Sequence, residues 1–308
     1  MNFLVVGPGA MGCLFAARLR QAGHGVTLLD YRSERAERIN RQGIHVTGVT
    51  GEFHASVPAV TGQTPEKPDM VLICVKAVST ADAARELQTW LPPETRILTL
   101  QNGLGNVEIL EEVFGNARVL GGVTSEAATL LETGRIKHAG RGQTYMGPEA
   151  ALAGPAAGIV SAFNDAGFET QSATDVVALI WGKLIVNVGI NALTAITRLK
   201  NGRLPDVAGT REVMADAVRE ATDVAEAKGI RLPYPDALER VHQVCDATAE
   251  NIASMLQDVL NQRRTEVEFI NGAISREGAL LGISTPVNRT LTRLIRAIET
   301  TYEERERH

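Results

Sequence analysis

The chain has 308 residues, of which 44% are hydrophobic and 22% are charged, and its formal net charge is −5. This length allows two domains or one large domain, with enough apolar residues for a sizeable core. The acidic balance provides no basic surface, which argues against a nucleic-acid partner.

The cysteines, the histidines and the apolar stretches indicate the cellular compartment and whether a metal site or a membrane segment is expected. Cys13, Cys74 and Cys245 lie far apart in apolar stretches, as is typical of reduced structural thiols in a cytosolic protein. We therefore expect a cytoplasmic location. The six histidines have no metal-ligand spacing, so no metal site is predicted. The most apolar stretch, 176–196, contains Lys183 and two asparagines, so no membrane segment is predicted.

The chain opens with an apolar segment that runs into the sequence Gly7-Pro8-Gly9-Ala10-Met11-Gly12. A strand, a glycine turn and a helix in this order are typical of dinucleotide binding. The first glycine permits a tight bend, the second lets the backbone approach a pyrophosphate, and the third lets the helix pack on the strand. A second apolar run, 26–29, ends in Asp30, near the usual spacing of about 20 residues for the acid that binds a ribose.

Short β-branched runs alternate with amphipathic segments up to about residue 170. The predicted strands are 3–6, 26–29, 70–75, 97–100 and 119–122. This order favours a doubly wound, mostly parallel α/β sheet of Rossmann type, in which ligands bind at the carboxyl ends of the strands. Lys76 and Asn102 follow two such ends, so we expect them to face the crevice of the glycine turn. On position alone, a surface lysine and a turn asparagine are the alternatives.

Long helical patterns replace the strands after residue 172. The predicted helices are 175–197, 210–228, 234–246, 249–261, a helix from about 266, and 287–304. We therefore predict two domains: a dinucleotide-binding Rossmann domain at 1–172 and an all-α substrate domain at 173–308.

The first of these helices carries three polar side chains at steps of four residues: Lys183, Asn187 and Asn191. Steps of four place them on one helix face, and apolar residues flank them. A buried ammonium and two buried amides are costly without partners, so the pattern predicts a ligand site. A snorkelling lysine with two core-bonded asparagines is the alternative.

Another polar cluster surrounds Glu266. Thr265 and Glu268 have the spacing of a capping box, which would make Glu266 the first residue of a helix. A helix N-terminus keeps a carboxylate ionised. We therefore expect Glu266 to bind a substrate hydroxyl or the cofactor ribose rather than to be a buried acid. A surface acid in the first turn is the alternative.

Together these motifs resemble those of the ketopantoate reductase (2-dehydropantoate 2-reductase) family over nearly the whole chain. The resemblance rests on separated motifs in one order: the glycine turn, Lys76, Gln-Asn102-Gly-Leu-Gly, Trp-Gly-Lys183 to Asn191, Asn201-Gly202, Glu-Asn251-Ile-Ala-Ser254, and Thr-Glu266. It implies reduction of ketopantoate to (R)-pantoate with a nicotinamide cofactor, on the route to pantothenate and coenzyme A.

The resemblance also implies roles for individual residues. Lys183 would donate a proton to the developing alkoxide, and Glu266 would contact both cofactor and substrate. The implied substrate contacts are Asn102, Lys183, Asn187, Asn191, Asn201, Asn251 and Ser254. The implied cofactor contacts are Gly7, Pro8, Gly9, Ala10, Met11, Gly12, Asp30, Arg32, Lys76, Asn102, Ala127 (or its neighbour Ala128) and Glu266.

The segment from Asp30 to Arg35 leaves the choice of cofactor open. In the family an arginine commonly follows the second strand and holds the 2′-phosphate of NADP(H), whereas an acid there favours NAD(H). We expect NADPH, with Arg32 or Arg35 on the phosphate and Asp30 turned away. NADH is the alternative.

Two other functions fit parts of the pattern. A 3-hydroxyacid dehydrogenase of the hydroxyisobutyrate type also has a lysine and an asparagine four residues apart in a helical domain, but the motifs at Ser254 and Glu266 argue against it. A non-catalytic dinucleotide sensor needs only the glycine turn, and the polar helix face argues against that. The sequence does not distinguish ketopantoate from another branched 2-keto acid as substrate. The resemblance also allows a homodimer.

Overall fold

Two compact units make up the computed structural model, which describes residues 1–64 and 66–304. One unit contains residues 1–101 and 106–176, and the other contains residues 102–105 and the chain from 177 onward. The chain thus leaves the first unit close to the predicted boundary at 172. The last four residues of the predicted second domain, 305–308, lie outside the described residues.

The first unit contains twelve described strands. In chain order they are β1 (Asn2–Val6), β2 (Gly25–Leu29), β3 (Ile44–Gly48), β4 (Phe53–Ala55), β5 (Ala59–Val60), β6 (Met70–Ile73), β7 (Arg96–Thr99), β8 (Val119–Thr124), β9 (Ala127–Glu132), β10 (Arg135–Gly140), β11 (Thr144–Gly147) and β12 (Thr170–Ser172). Eight of them form one sheet in the order β12-β11-β8-β7-β6-β1-β2-β5. From β8 to β5 all neighbours are parallel, which confirms the predicted Rossmann-type sheet.

A second sheet of four strands has the order β4-β3-β10-β9. None of its strands is predicted from the sequence. β10 alternates exposed and buried residues along Arg135–Gly140, because one of its faces is solvated. Such a strand lacks the continuous apolar run that marks a strand buried on both faces.

Helices cover the large sheet of the first unit. They are α1 (Ala10–Gln21), α2 (Ser33–Gln42), α3 (Thr80–Gln88), α4 (Asn106–Phe114) and α5 (Ile159–Asp165). Phe15 of α1 packs against Phe163 of α5 and against Phe168, with ring centroids 5.5 and 5.1 Å away. This aromatic cluster fixes α1 on the sheet and thereby fixes the turn that precedes it.

The second unit is helical, as predicted. Its helices are α6 (Val176–Thr197), α7 (Ala208–Ala227), α8 (Ala237–Ala247), α9 (Ser254–Leu260), α10 (Asn271–Leu281) and α11 (Pro286–Thr300). Two of the helices predicted from the sequence differ from those in the structure. The one predicted from 249 begins only at Ser254, since Ala253 is extended with ψ of 152°. The one predicted from 266 is a 3₁₀ turn at Val267–Phe269, because Ile270, with ψ of −96°, separates that turn from α10.

Helix α6 lies in the core of the second unit. It is long and apolar enough to cross a membrane by length and composition, with a mean hydropathy of 1.8, yet 67% of that window is buried inside the protein. Trp181, Leu184, Ile185 and Val188 belong to its core-facing side. This burial is typical of a core helix.

Candidate active site

The glycine turn joins β1 to α1 in the first unit. Gly7 has a φ of 99°, which favours glycine, and its N–H donates to the Leu29 carbonyl at 2.9 Å. A Cβ on Gly12 would lie 2.1 Å from the Gly7 oxygen, so the helix needs a glycine to pack this closely. A Cβ on Gly9, in contrast, would meet no atom of the described residues within 4 Å. The open space at Gly9 fits the approach of a dinucleotide pyrophosphate.

The N-terminus of α1 adds to this cradle. The helix begins at Ala10, and within the described chain no side chain caps it and no acid lies in its first turn. The first N–H groups of a helix have no intrahelical partner, and together with the helix dipole they favour an anion. The stretch from Gly7 to Gly12 can therefore hold a diphosphate.

Asp30 follows β2 and is turned inward, with 2% of its surface exposed. Its Oδ1 accepts hydrogen bonds from the Arg32 backbone N–H at 3.1 Å and from Arg35 Nη2 at 2.5 Å. Arg32 is exposed, and its guanidinium lies 5.2 Å from the ring centroid of Tyr31. Asp30 thus engages Arg35 and leaves Arg32 as an exposed cation beside the end of β2.

Polar side chains also connect the ends of β6 and β7. Gln101 Nε2 donates to the Val75 carbonyl at 2.7 Å and to Thr80 Oγ1 at 2.9 Å. Gln101, for which no role is predicted from the sequence, thereby fixes the loop that carries the exposed Lys76. Ala127, half-buried at the start of β9, stays a predicted cofactor contact, as does Lys76.

Lys183 lies half-buried on α6 of the second unit. Burial lowers the pKa of its ammonium from 10.5 to about 8, against the opposing effect of the Glu266 carboxylate. Tyr234 Oη donates to the carbonyl of Gly182 at 2.8 Å and so holds the preceding peptide. A lysine with such a pKa is suited to proton transfer near neutral pH.

Asn187 and Asn191 follow Lys183 on the same helix, at the predicted spacing. Asn191 is 6% exposed. The Nδ2 of Asn187 is buried and has no hydrogen-bond partner among the described residues. A buried amide donor without an acceptor costs free energy, and a ligand oxygen that accepts its hydrogen bond would offset this cost.

Glu266 differs from the sequence-based expectation. It is 8% exposed and precedes a 3₁₀ turn, so it is a buried acid and not the first residue of an α-helix. The predicted capping box is wrong as well. Thr265 Oγ1 accepts from the N–H two residues on, at 3.2 Å, and Glu268 binds Arg296 at 2.7 Å. Tertiary contacts with α11 therefore replace the local cap.

Asn201 is buried in a turn between α6 and α7. Its Nδ2 donates to Thr248 Oγ1 at 2.9 Å, whereas its Oδ1 is buried without a partner in the described part of the chain. Its backbone N–H donates to the Asn251 carbonyl at 3.2 Å. Asn251 itself is exposed, and so is Ser254 at the start of α9. The structure thus brings Asn201 and Asn251 together.

The short segment 102–105 belongs to the helical unit although it follows β7. The Leu104 N–H donates to the Phe269 carbonyl at 2.8 Å, and a Cβ on Gly103 would lie 2.4 Å from the same oxygen. Asn102 is therefore attached to the unit that carries Lys183. Its contact with a nicotinamide stays a prediction.

Among residues 1–64 and 66–304, no group of three or more His, Cys, Asp or Glu side chains could hold a metal ion. His308 lies outside the described residues. The chemistry that this unit offers is a positioned ammonium beside amide donors, which can stabilise negative charge on a carbonyl oxygen and protonate it.

Comparisons with known proteins bear on both units. A family model described as ketopantoate reductase PanE/ApbA matches residues 3–150, and the model of its C-terminal domain matches residues 175–299. The chain is 37% identical to a 2-dehydropantoate 2-reductase of Halobacterium salinarum, covering 96% of this chain and 98% of the relative. It is 32% identical to that of Escherichia coli O157:H7, covering 98% and 97%.

Solved structures give a similar result. A PanE/ApbA family ketopantoate reductase from Ralstonia eutropha has a TM-score of 0.91 at 32% identity and covers 98% of this chain and 100% of its own. A D-mandelate dehydrogenase with NADH and anilino(oxo)acetate has a TM-score of 0.92 at 27% identity, with the same coverage.

Proposed function

We propose the function of this chain from one premise: it belongs to the ketopantoate reductase family, whose models match residues 3–150 and 175–299. The chain is an oxidoreductase that reduces 2-dehydropantoate to (R)-pantoate with a nicotinamide cofactor, a step towards pantothenate and coenzyme A. The observation that carries this proposal is Lys183, a half-buried ammonium with a pKa of about 8 on the polar face of α6.

Lys183 supplies the proton of the reaction. Its pKa leaves it mostly protonated at pH 7, yet it releases the proton more readily than an ordinary lysine. A bound reduced nicotinamide would supply the hydride for the carbonyl carbon. The ammonium stabilises the negative charge that develops on the carbonyl oxygen and then donates its proton to it. The neutral amine recovers a proton from solvent, which the carboxylate of Glu266 favours.

Buried polar atoms in the helical unit suit a keto acid with a hydroxyl group. Asn187 Nδ2 is a buried donor that would serve a carboxylate or carbonyl oxygen, and Asn201 Oδ1 is a buried acceptor that would serve a hydroxyl. The exposed Ser254, at the N-terminus of α9, can donate to a carboxylate. Ketopantoate carries a carboxylate and a hydroxyl, which are the two kinds of group that these atoms can bind.

A coupled assay tests this function. Oxidation of NADPH and of NADH is followed with ketopantoate, with branched 2-keto acids and with phenylglyoxylate, since a D-mandelate dehydrogenase is among the similar structures. We expect the highest kcat/KM for ketopantoate and a loss of roughly 100-fold or more in Lys183→Met. Lys200→Met is the matched control, because Lys200 is exposed and pairs with Glu250. A higher kcat/KM for phenylglyoxylate would assign the chain to an aromatic 2-keto acid.

We propose NADPH as the preferred cofactor. Support comes from the exposed Arg32 and from Asp30, whose Oδ1 is bound by Arg35. Arg32→Ala should weaken NADPH binding selectively. Asp30→Ala should leave the binding of NADH nearly unchanged, whereas an acid that bound the ribose would lose on the order of 1–2 kcal/mol of NADH binding, the scale of a charge-assisted hydrogen bond. A wild-type preference for NADH that disappears in Asp30→Ala would contradict the proposal.

A cytoplasmic location is also proposed, supported by three cysteines that are free in the described chain, as expected in a reducing compartment. Fractionation of the source cells tests it. A homodimer stays a prediction, which sedimentation at several protein concentrations can check.

A further inference from the structure

Thr248 stands at the C-terminal end of α8 and makes two hydrogen bonds through one hydroxyl group. Its Oγ1 lies 2.6 Å from the Val244 carbonyl oxygen and 2.9 Å from Asn201 Nδ2. A carbonyl oxygen can only accept, so the single hydroxyl proton of Thr248 is donated to Val244. Towards Asn201, the same oxygen acts only as an acceptor.

This arrangement fixes the orientation of the Asn201 amide. Its NH₂ group must face Thr248, because a flipped amide would set two oxygens against each other without a proton between them. The Oδ1 then faces the other way, where it is buried without a partner among residues 1–64 and 66–304. Asn201 is 7% exposed, so water compensates this acceptor poorly.

The backbone holds the amide in place as well. The N–H groups of Asn201 and Gly202 donate to the carbonyls of Asn251 and Ala249, each at 3.2 Å. A Cβ on Gly202 would lie 2.5 Å from the Ala249 Cβ, so the turn needs glycine to come this close. The position of Asn201 relative to Thr248 is therefore rigid.

We propose that Thr248 is the positioning residue that sets the polarity of Asn201 and so makes the site select 2-keto acids that carry a hydroxyl group. The inference rests on the proposed reductase function and deepens it. Thr248 itself need not touch the substrate. It acts by leaving Asn201 Oδ1 as an acceptor, which a substrate hydroxyl can satisfy and an alkyl group cannot.

The test compares two substrates that differ in one atom. Ketopantoate carries a hydroxyl that 3,3-dimethyl-2-oxobutanoate lacks, and the ratio of their kcat/KM values measures selection for it. The wild type should favour ketopantoate. Thr248→Val keeps the shape of the side chain but loses the hydroxyl, and should lower the ratio about tenfold, the scale of one hydrogen bond. Thr248→Ser keeps the hydroxyl and should keep most of the ratio.

A second variant serves if Thr248→Val folds poorly. Asn201→Ala removes the acceptor and should lower the ratio to a similar extent, and adding Thr248→Val to it should cause little further loss, as expected of two coupled residues. Equal losses on both substrates, with an unchanged ratio, would reduce Thr248 to a structural residue and overturn the inference. A wild-type ratio near one would overturn it too and leave the reductase function intact, whereas a wild type that reduces neither substrate would refute the function itself.

Discussion

Replacing Lys183 with methionine should stabilise the protein while it lowers kcat/KM by roughly 100-fold or more. The pKa of Lys183 is about 8 in the folded protein and 10.5 for an ordinary lysine. This difference corresponds to on the order of 3 kcal/mol that the protonated lysine costs the folded state at pH 7. Methionine has a similar length and carries no charge, so Lys183→Met should recover up to this amount.

The pH dependence separates this effect from a gain in packing. Below pH 8 the lysine is protonated in both states, and the full cost is present. Between pH 8 and 10.5 the folded protein has lost the proton while the unfolded chain still binds it, so wild-type stability rises with pH. The advantage of Lys183→Met should therefore shrink across this window and vanish above it.

Urea denaturation followed by tryptophan fluorescence measures the free energy of unfolding of the helical unit, which contains Lys183. Trp181 is buried beside Lys183, with 1% exposure, and Trp90→Phe in the background leaves it as the single reporter. Lys200→Met, at an exposed ion pair, should change the free energy of unfolding by no more than about 0.5 kcal/mol. No gain at pH 7, or the same gain at pH 7 and above 10.5, would refute the assignment of a costly buried ammonium.

Three further results are expected. Gly9→Ala should keep the wild-type Tm but raise the Kd for the cofactor in a fluorescence titration. Gly12→Ala should lower the Tm, because its Cβ would lie 2.1 Å from the Gly7 oxygen. Equal Tm values for the two variants would contradict this. The kcat/KM should fall about tenfold per pH unit above pH 8, as Lys183 loses its proton; a flat profile there would exclude it as the acid. Ser254→Ala should raise KM for the keto acid more than it lowers kcat, since a carboxylate contact serves ground and transition states alike; a change in cofactor affinity alone would misplace it.

The parallel core of the first unit could be predicted because its strands are buried on both faces. Met70–Ile73 is buried throughout, and such strands appear in a sequence as unbroken apolar runs. Strands of the second sheet are half-exposed: Arg135–Gly140 alternates exposed and buried residues, and it pairs with the distant strand β3 as well as with its neighbour β9. A single sequence carries little signal for them, since their pairing depends on which face the rest of the fold leaves uncovered.

Part of the candidate site could likewise be predicted from the sequence, and part could not. The face formed by Lys183 and Asn187 follows from helix geometry, so the spacing alone predicts it. The absence of a helix start at Glu266 does not, because Glu268 binds Arg296 of α11 and the Thr265 N–H donates to Glu299 instead of to Glu268. Competition between a local hydrogen bond and a tertiary ion pair is decided by the packing of distant elements, and the sequence does not show that packing.

The polar face of α6 indicates a ligand site because the rest of this helix is apolar and mostly buried. A helix with a mean hydropathy of 1.8 that is 67% buried would be more stable with apolar residues at every core position, because buried polar groups cost free energy unless they are paired. Asn187 nevertheless leaves a buried Nδ2 without a partner in the described chain, and Lys183 carries a charge whose pKa burial lowers to about 8. A ligand oxygen that accepts from Asn187 Nδ2 would regain part of that free energy on binding, so this buried donor is a physical basis for the recognition of substrate.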